Sequence, residues 1–443
     1  MKRTFIFGVI LIGVLWSNAR MLDHVADYDW THVVDLPREF RFVEVGFIGL
    51  FFALAFKREW RQGWRRRLEH VRFPLILVLL AVLAGALNGS AAVDIFQGMF
   101  LFLSPPMIYQ TARWLDLRGQ DLRTIVRTMA LLLVLSLPLW LHQVLTYFVE
   151  DGNGDNVHAF FRDAHLYANL LYCGVLVATA SFAVRRRYLD LLAAGALFFV
   201  AFMPLNEKSM IFMVFLLLAV LLFRRGERRA RRRLMPAFVL TAVLVIGFLI
   251  GRDLLSSTGG EGLRANILTE NRLEELGTVL AYLQLPFVFE EVPHALVYGV
   301  GPGNYGSSMA IRRSVEGSAT ELSTRYVGDI EVSGVIGAFS WRTNYFIGML
   351  VEYGAIFTAI VGLFYLSLVR RLHRLAKAST SETIVIWSLA LGGSLMLLLL
   401  TGLVSNISGL DEGILAYPIL MGIAALENEA TQGGQKSLVG VDT

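Results

Sequence analysis

Arg272 opens the segment "TENRLEELGTVLAYLQLPFVF", whose leucines at 273, 276, 280 and 283 fall on one side of a helix. Thr269 or Asn271 can cap it, and Glu274 and Glu275 suit its first turn. A guanidinium there faces the positive end of the helix dipole, a misfit that an anion would relieve. Helix N–H groups and an arginine converging on a phosphate make such a site. The plainer reading is an exposed arginine paired with Glu270 or Glu275. Further along, Gly299 to Gly306 reads "GVGPGNYG", and Gly301, Gly303 and Gly306 satisfy G-x-G-x-x-G. No strand–helix–strand unit and no acidic partner surround it, so a dinucleotide fingerprint is a poor fit. Gly-Pro-Gly ahead of Tyr305 is better read as a tight turn.

The other candidates sit at the edges of apolar runs. Lys208 stands in "PLNEKSMIFMVFLLLAVLL" and His165 in "FRDAHLYANLLY", with Arg162, Asp163, Tyr167 and Asn169 beside it. Ionisable residues at span mouths mark ligand pathways. The bland alternatives are a lysine that snorkels or pairs with Glu207, and a structural histidine. Arg342, Thr343 and Asn344 enter another apolar run, and Glu352 lies deeper in it next to Gly354. A carboxylate at that depth needs a partner.

These residues are positioned by a sequence made for lipid. Of its 443 residues 55% are hydrophobic and 17% charged, against about 45–50% and about 25% in soluble domains. Apolar runs near 4–17, 42–56, 73–88, 93–110, 124–148, 166–184, 188–204, 208–223, 234–251, 342–369, 384–404 and 413–426 predict twelve membrane helices. The first follows Met1-Lys2-Arg3 and lacks a small-x-small cleavage site, so it reads as an uncleaved helix rather than a signal peptide. A single cysteine, Cys173, excludes an internal disulfide and a cysteine-cluster metal site.

With the N-terminus inside, alternation puts every basic cluster on the cytoplasmic side: Lys57–Arg72, Arg113–Arg127, Arg185–Arg187, Arg224–Arg233 and Arg370–Lys377. The short outside loops keep only Arg20, Arg38, Arg41, Arg162 and Lys208. That asymmetry predicts both termini inside. The run at 224–233, between two spans, suits a lipid surface better than nucleic acid. The chain thus divides into membrane helices over 1–251, a polar, Gly-rich outside loop over 252–341, membrane helices over 342–426, and a tail over 427–443 expected to be disordered. An outside loop of that length implies a function of its own. No repeat of 20–50 residues and no pair of matching halves appears, which counts against a repeat-built transporter.

The order of these motifs resembles the O-antigen ligase and O-antigen polymerase superfamily of bacterial inner-membrane glycosyltransferases. That pattern runs from a basic residue at a span mouth, through an Arg-opened loop helix and "G-V-G-x-G-x-[FY]", to "H-N-x-x-[LF]" and "E-x-G" in the returning helix. Here it is met by "EKS" with Lys208, "NRLEELG" with Arg272, "GVGPGNY" at 299–305, "TNYF" at 343–346 and "EYG" at 352–354. Together they cover roughly residues 165–370. The resemblance implies an all-α polytopic fold of GT-C-like architecture. It also implies transfer of an undecaprenyl-diphosphate-linked glycan to a glycan or lipid-linked acceptor outside the inner membrane. No cofactor, metal or nucleic acid enters, and a chain-length regulator protein is an expected partner.

In that reading Arg272, Lys208 and Arg342 stabilise the departing diphosphate, with Thr343, Asn344 and Glu352 beside them. Gly299, Gly301, Gly303 and Tyr305 line the substrate, with Arg162 and His165. Two positions depart from the pattern. Lys208 replaces an arginine, keeping charge but losing the bidentate fork. Thr343 replaces the family histidine and cannot act as a base near neutral pH. The missing histidine favours a polymerase over a ligase and leaves Asp329, Glu331, His294, Glu352 and His165 as unranked candidates for the base. The rival expectation is a lipid-linked oligosaccharide flippase or other secondary transporter; a non-catalytic assembly scaffold is a third.

Overall fold

The structure is a computed structural model. It describes residues 1–17, 40–60, 68–90, 92–145, 164–202, 272–302, 304–305, 344–404 and 413–439, with a few single residues between. Among these, every regular element is helical. The helices are α1 (Lys2–Ser17), α2 (Phe40–Trp60), α3 (Leu68–Leu87), α4 (Ala92–Trp114), α5 (Gly119–Gln143), α6 (Ala164–Arg185) and α7 (Tyr188–Phe202), then α8 (Arg272–Glu291), α9 (Ala295–Tyr298), α10 (Tyr345–Ala378), α11 (Glu382–Val404) and α12 (Gly413–Val439). Four of the described helices, α5, α6, α10 and α11, are long and apolar enough to cross a membrane. Two shorter apolar stretches lie at Leu75–Leu87 and Tyr188–Ala201. The expected span 234–251 lies outside the described residues. Of 208–223 only a few positions are described, with Met213, Leu216 and Val220 buried in the core.

The first half of α12 is the hub. Residues 413–427 are buried all round, as a helix without a polar stripe must be. It packs on α1, α4, α5 and α11. Gly13 lets α1 approach closely, because a Cβ there would meet the backbone of Gly413 and Ile414. Small residues at a crossing allow such contact between helices in lipid. A second group, α6, α7, α10 and α11, packs alongside, α6 against both α7 and α11 and α11 against α10. Outward faces carry exposed Leu79, Leu83, Leu131, Val134, Leu192 and Phe199, an apolar surface larger than a soluble chain keeps.

Contacts sort the helix ends into two sets. At one end Lys2 pairs with Asp116 in the α4–α5 turn and with Asp121 in the first turn of α5, and the Arg118 N–H is held by Asp121 at 2.9 Å. Beside them Glu427 accepts from Arg113 and, at 2.6 Å, from the Tyr109 hydroxyl, with Arg371 at 3.7 Å. Asn428 donates to the carbonyls of Arg113 and Leu117, and Glu429 accepts the Gly119 N–H at 3.2 Å. The expected disordered tail is therefore corrected over its first part. α12 runs on as helix to Val439, because its polar residues after Leu426 bind the ends of α4 and α5. The N-terminus, the α4–α5 connection, Arg371 of α10 and the middle of α12 thus meet at one basic end. The opposite end carries the described part of the long loop.

Candidate functional site

Two segments chosen for their motifs interlock at that opposite end. Helix α10 starts at Asn344, whose side chain caps it by accepting the Ile347 N–H at 2.9 Å. It does not continue unbroken as the sequence pattern suggested. Gly354, at φ 82° and ψ 170°, breaks it, in a region of backbone space open essentially to glycine alone. The carbonyls of Val351 and Glu352, just before the break, accept the N–H groups of Val300 and Gly301, both at 2.9 Å. The kink therefore gives these two carbonyls bonds to the loop in place of helical ones.

Gly299 is the loop's counterpart, at φ 83° and ψ 175°. A Cβ on Gly299 would meet the Glu352 carbonyl, and one on Gly354 would meet the Val297 carbonyl. The two glycines let two backbones touch. Glu352, wholly buried, turns its carboxylate to the same segment and accepts the Tyr305 N–H at 3.2 Å. The carboxylate that the sequence placed deep in a span thus anchors the glycine turn. Val288, Ala295, Val300, Tyr305, Ile347 and Val351 pack into a small core of their own beneath the turn, while below the break Tyr353 stacks on Phe357 and Phe102 meets both edge-on, with centroids 4.8–5.5 Å apart.

The turn between α3 and α4 supplies the third side. Asn88 donates through Nδ2 to the Ala84 carbonyl at 2.7 Å and to the Gly299 carbonyl at 3.0 Å. Its Oδ1 lies 3.1 Å from His294 Nε2, and the His294 ring stacks on Tyr298 at 5.1 Å. Asn304 donates to the Val300 carbonyl at 2.6 Å and to Ser90 Oγ at 3.3 Å. Gly301, at φ 89°, faces Ser90, and a side chain there would collide with its hydroxyl. Asn88 and Ser90 went unremarked in the sequence. Their signal was "LNGS", a turn dipeptide between two apolar runs, which announces a connection but not what it holds. Glu44 was also missed. It is buried in α2 and accepts from the Tyr417 hydroxyl at 2.7 Å, on the hub rather than at the site.

The long-loop helix α8 closes over this end. Tyr282 donates to the Leu403 carbonyl at the finish of α11, at 2.6 Å. Burial raises its phenol above the ordinary tyrosine value, and a hydrogen bond with the Asn344 side chain opposes that. The described part of the long loop thus packs on the start of α10 and the finish of α11. The structure brings together Gly299, Gly301, Tyr305, Asn344 and Glu352. Arg272 is placed at the first residue of α8 without a described side chain, and His165 likewise lies in α6. Lys208, Arg162, Gly303, Arg342 and Thr343 lie outside the described residues, as do Asp329 and Glu331. Among the described residues no group of three His, Cys, Asp or Glu side chains is placed to hold a metal ion. No family model matches the chain, and no curated protein matches it.

Proposed function

We propose that this chain is a twelve-span, GT-C-like glycosyltransferase of a bacterial inner membrane, with both termini cytoplasmic and its site on the periplasmic side. It moves an undecaprenyl-diphosphate-linked glycan onto a sugar hydroxyl during O-antigen or exopolysaccharide assembly, as a polymerase rather than a ligase. The observation that carries this reading is the backbone contact between the glycine turn at 299–305 and the Glu352–Gly354 break. Two motifs that resemble one family's in sequence meet in space, at the end remote from the basic helix ends.

The chemistry follows from the leaving group. A diphosphate departs with charge growing on its bridging oxygen, so stabilising that charge is the main task. Arg272 at the start of α8 and Lys208 at a span mouth are the cations for it, with Arg342 third. Charge-assisted hydrogen bonds contribute about 1.5–3 kcal/mol each. The lipid carrier is already an activated donor, so neither nucleotide nor metal is required.

The break in α10 invites the transporter reading, since broken helices line transporter sites. In such sites the freed carbonyls face substrate, whereas here Val351 and Glu352 spend theirs on Val300 and Gly301. Profiling the glycans of cells lacking the gene tests the proposal. A polymerase leaves single repeat units on the acceptor, and a ligase leaves polymer on the lipid carrier. An unchanged glycan profile would exclude both.

A further inference from the structure

The reaction needs a base for the acceptor hydroxyl, and Thr343 stands where the resembled pattern has one. The geometry points to His294 as that base, held by Asn88 in the tautomer that leaves its Nδ1 free to take a proton. This rests on the glycosyltransferase reading and adds to it the residue that the sequence could not choose.

The hydrogen bonds of Asn88 fix the proton. Its Nδ2 has two hydrogens, and two carbonyls take them, Ala84 at 2.7 Å and Gly299 at 3.0 Å. The amide therefore cannot flip without turning its oxygen on both carbonyls. Its Oδ1 faces His294 Nε2 at 3.1 Å and can only accept. In the neutral ring Nε2 then carries the hydrogen and Nδ1 carries the lone pair. Nδ1 has no partner among the described residues, and the side chain is half-buried rather than enclosed. Stacking on Tyr298 sets the ring plane. The pairing resembles the triads in which a third group orients a general base; here a neutral amide does so.

Position supports the role. Asn88 joins His294 and the Gly299 carbonyl, so one side chain ties the base to the glycine turn assigned here to the donor. Glu352, the other candidate whose side chain is described, is buried and accepts the Tyr305 N–H, which leaves it as a fastening rather than a proton acceptor. In the step, the acceptor oxygen bonds to the anomeric carbon as the carbon–oxygen bond to the diphosphate breaks. That bond's electron pair stays on the diphosphate oxygen. The acceptor proton passes to Nδ1, giving an imidazolium that returns it to solvent.

The test uses the full-length protein in proteoliposomes, fed with the lipid-linked glycans that accumulate in cells lacking the gene. His294→Gln keeps an N–H for Asn88 Oδ1 but cannot take a proton. It should lower transfer by about 10²-fold or more, with retention of the lipid-linked donor unchanged. His294→Ala should fail equally and regain part of its rate with added imidazole. If Gln matches the wild type, or restores what Ala loses, His294 is a structural tie and the inference falls while the glycosyltransferase reading stands. If the wild type itself forms no new linkage, that reading falls and takes this inference with it.

Discussion

Single residues carry the sharpest expectations. Gly299 and Gly354 both occupy backbone space that costs another residue roughly 1–3 kcal/mol, and at each a Cβ would strike the other strand of the contact. Gly299→Ala and Gly354→Ala should each reduce folded yield in detergent and abolish polymer, whereas Gly362→Ala, with open space around it, should do neither. Folded, active protein from both site variants would mean that the two backbones need not touch. At Lys208 the expectation is reversed: Lys208→Arg should be tolerated, since it restores the residue usual in the resembled pattern. The glycines of the turn could be picked from sequence because only a few conformations need them. Asn88 could not, since an asparagine in a turn signals the turn and not the histidine 206 residues away that it binds.

Elements explain why the site was only half legible. Apolar runs predicted most of the helices, because length and hydropathy are local properties. The break in α10 was not predicted, although Gly354 was noticed, because a lone glycine is tolerated in a helix unless another segment takes up the released carbonyls. That segment lies about fifty residues earlier, at Val300 and Gly301. α12 was underestimated for a similar reason. Its residues beyond 426 look like a polar tail, yet Glu427 is buried against Arg113 and Tyr109, with Arg371 beside them. Glu427→Ala should lower the melting temperature in detergent by leaving two guanidiniums without their carboxylate. A buried pair broken this way costs about 3–5 kcal/mol, and less is expected here because both arginines are partly exposed. Glu427→Gln should lie between, since its carbonyl still accepts from Tyr109. An Ala variant as stable as the wild type would show that α12 is held by its apolar half alone.

At the scale of the whole molecule, contacts gather helix ends into two groups. Lys2, Asp116, Arg371 and Glu427 share the basic end, and α8, α9 and the glycine turn share the other with Asn88 and Leu403. Reporter fusions at residue 230 should read cytoplasmic and fusions near residue 315 periplasmic; finding both on one side would overturn the twelve-span order. The central claim, that cations at the loop end stabilise a departing lipid diphosphate, is tested most directly by its release. Purified protein in proteoliposomes, given lipid-linked glycan, should liberate undecaprenyl diphosphate in step with each new glycosidic bond, chelator or no chelator. Arg272→Ala, at equal protein level, should lose about 10²–10³ of that rate. Arg272→Lys should also be impaired, because charge without the planar fork is not enough. Release from Arg272→Ala at the wild-type rate would contradict the claim.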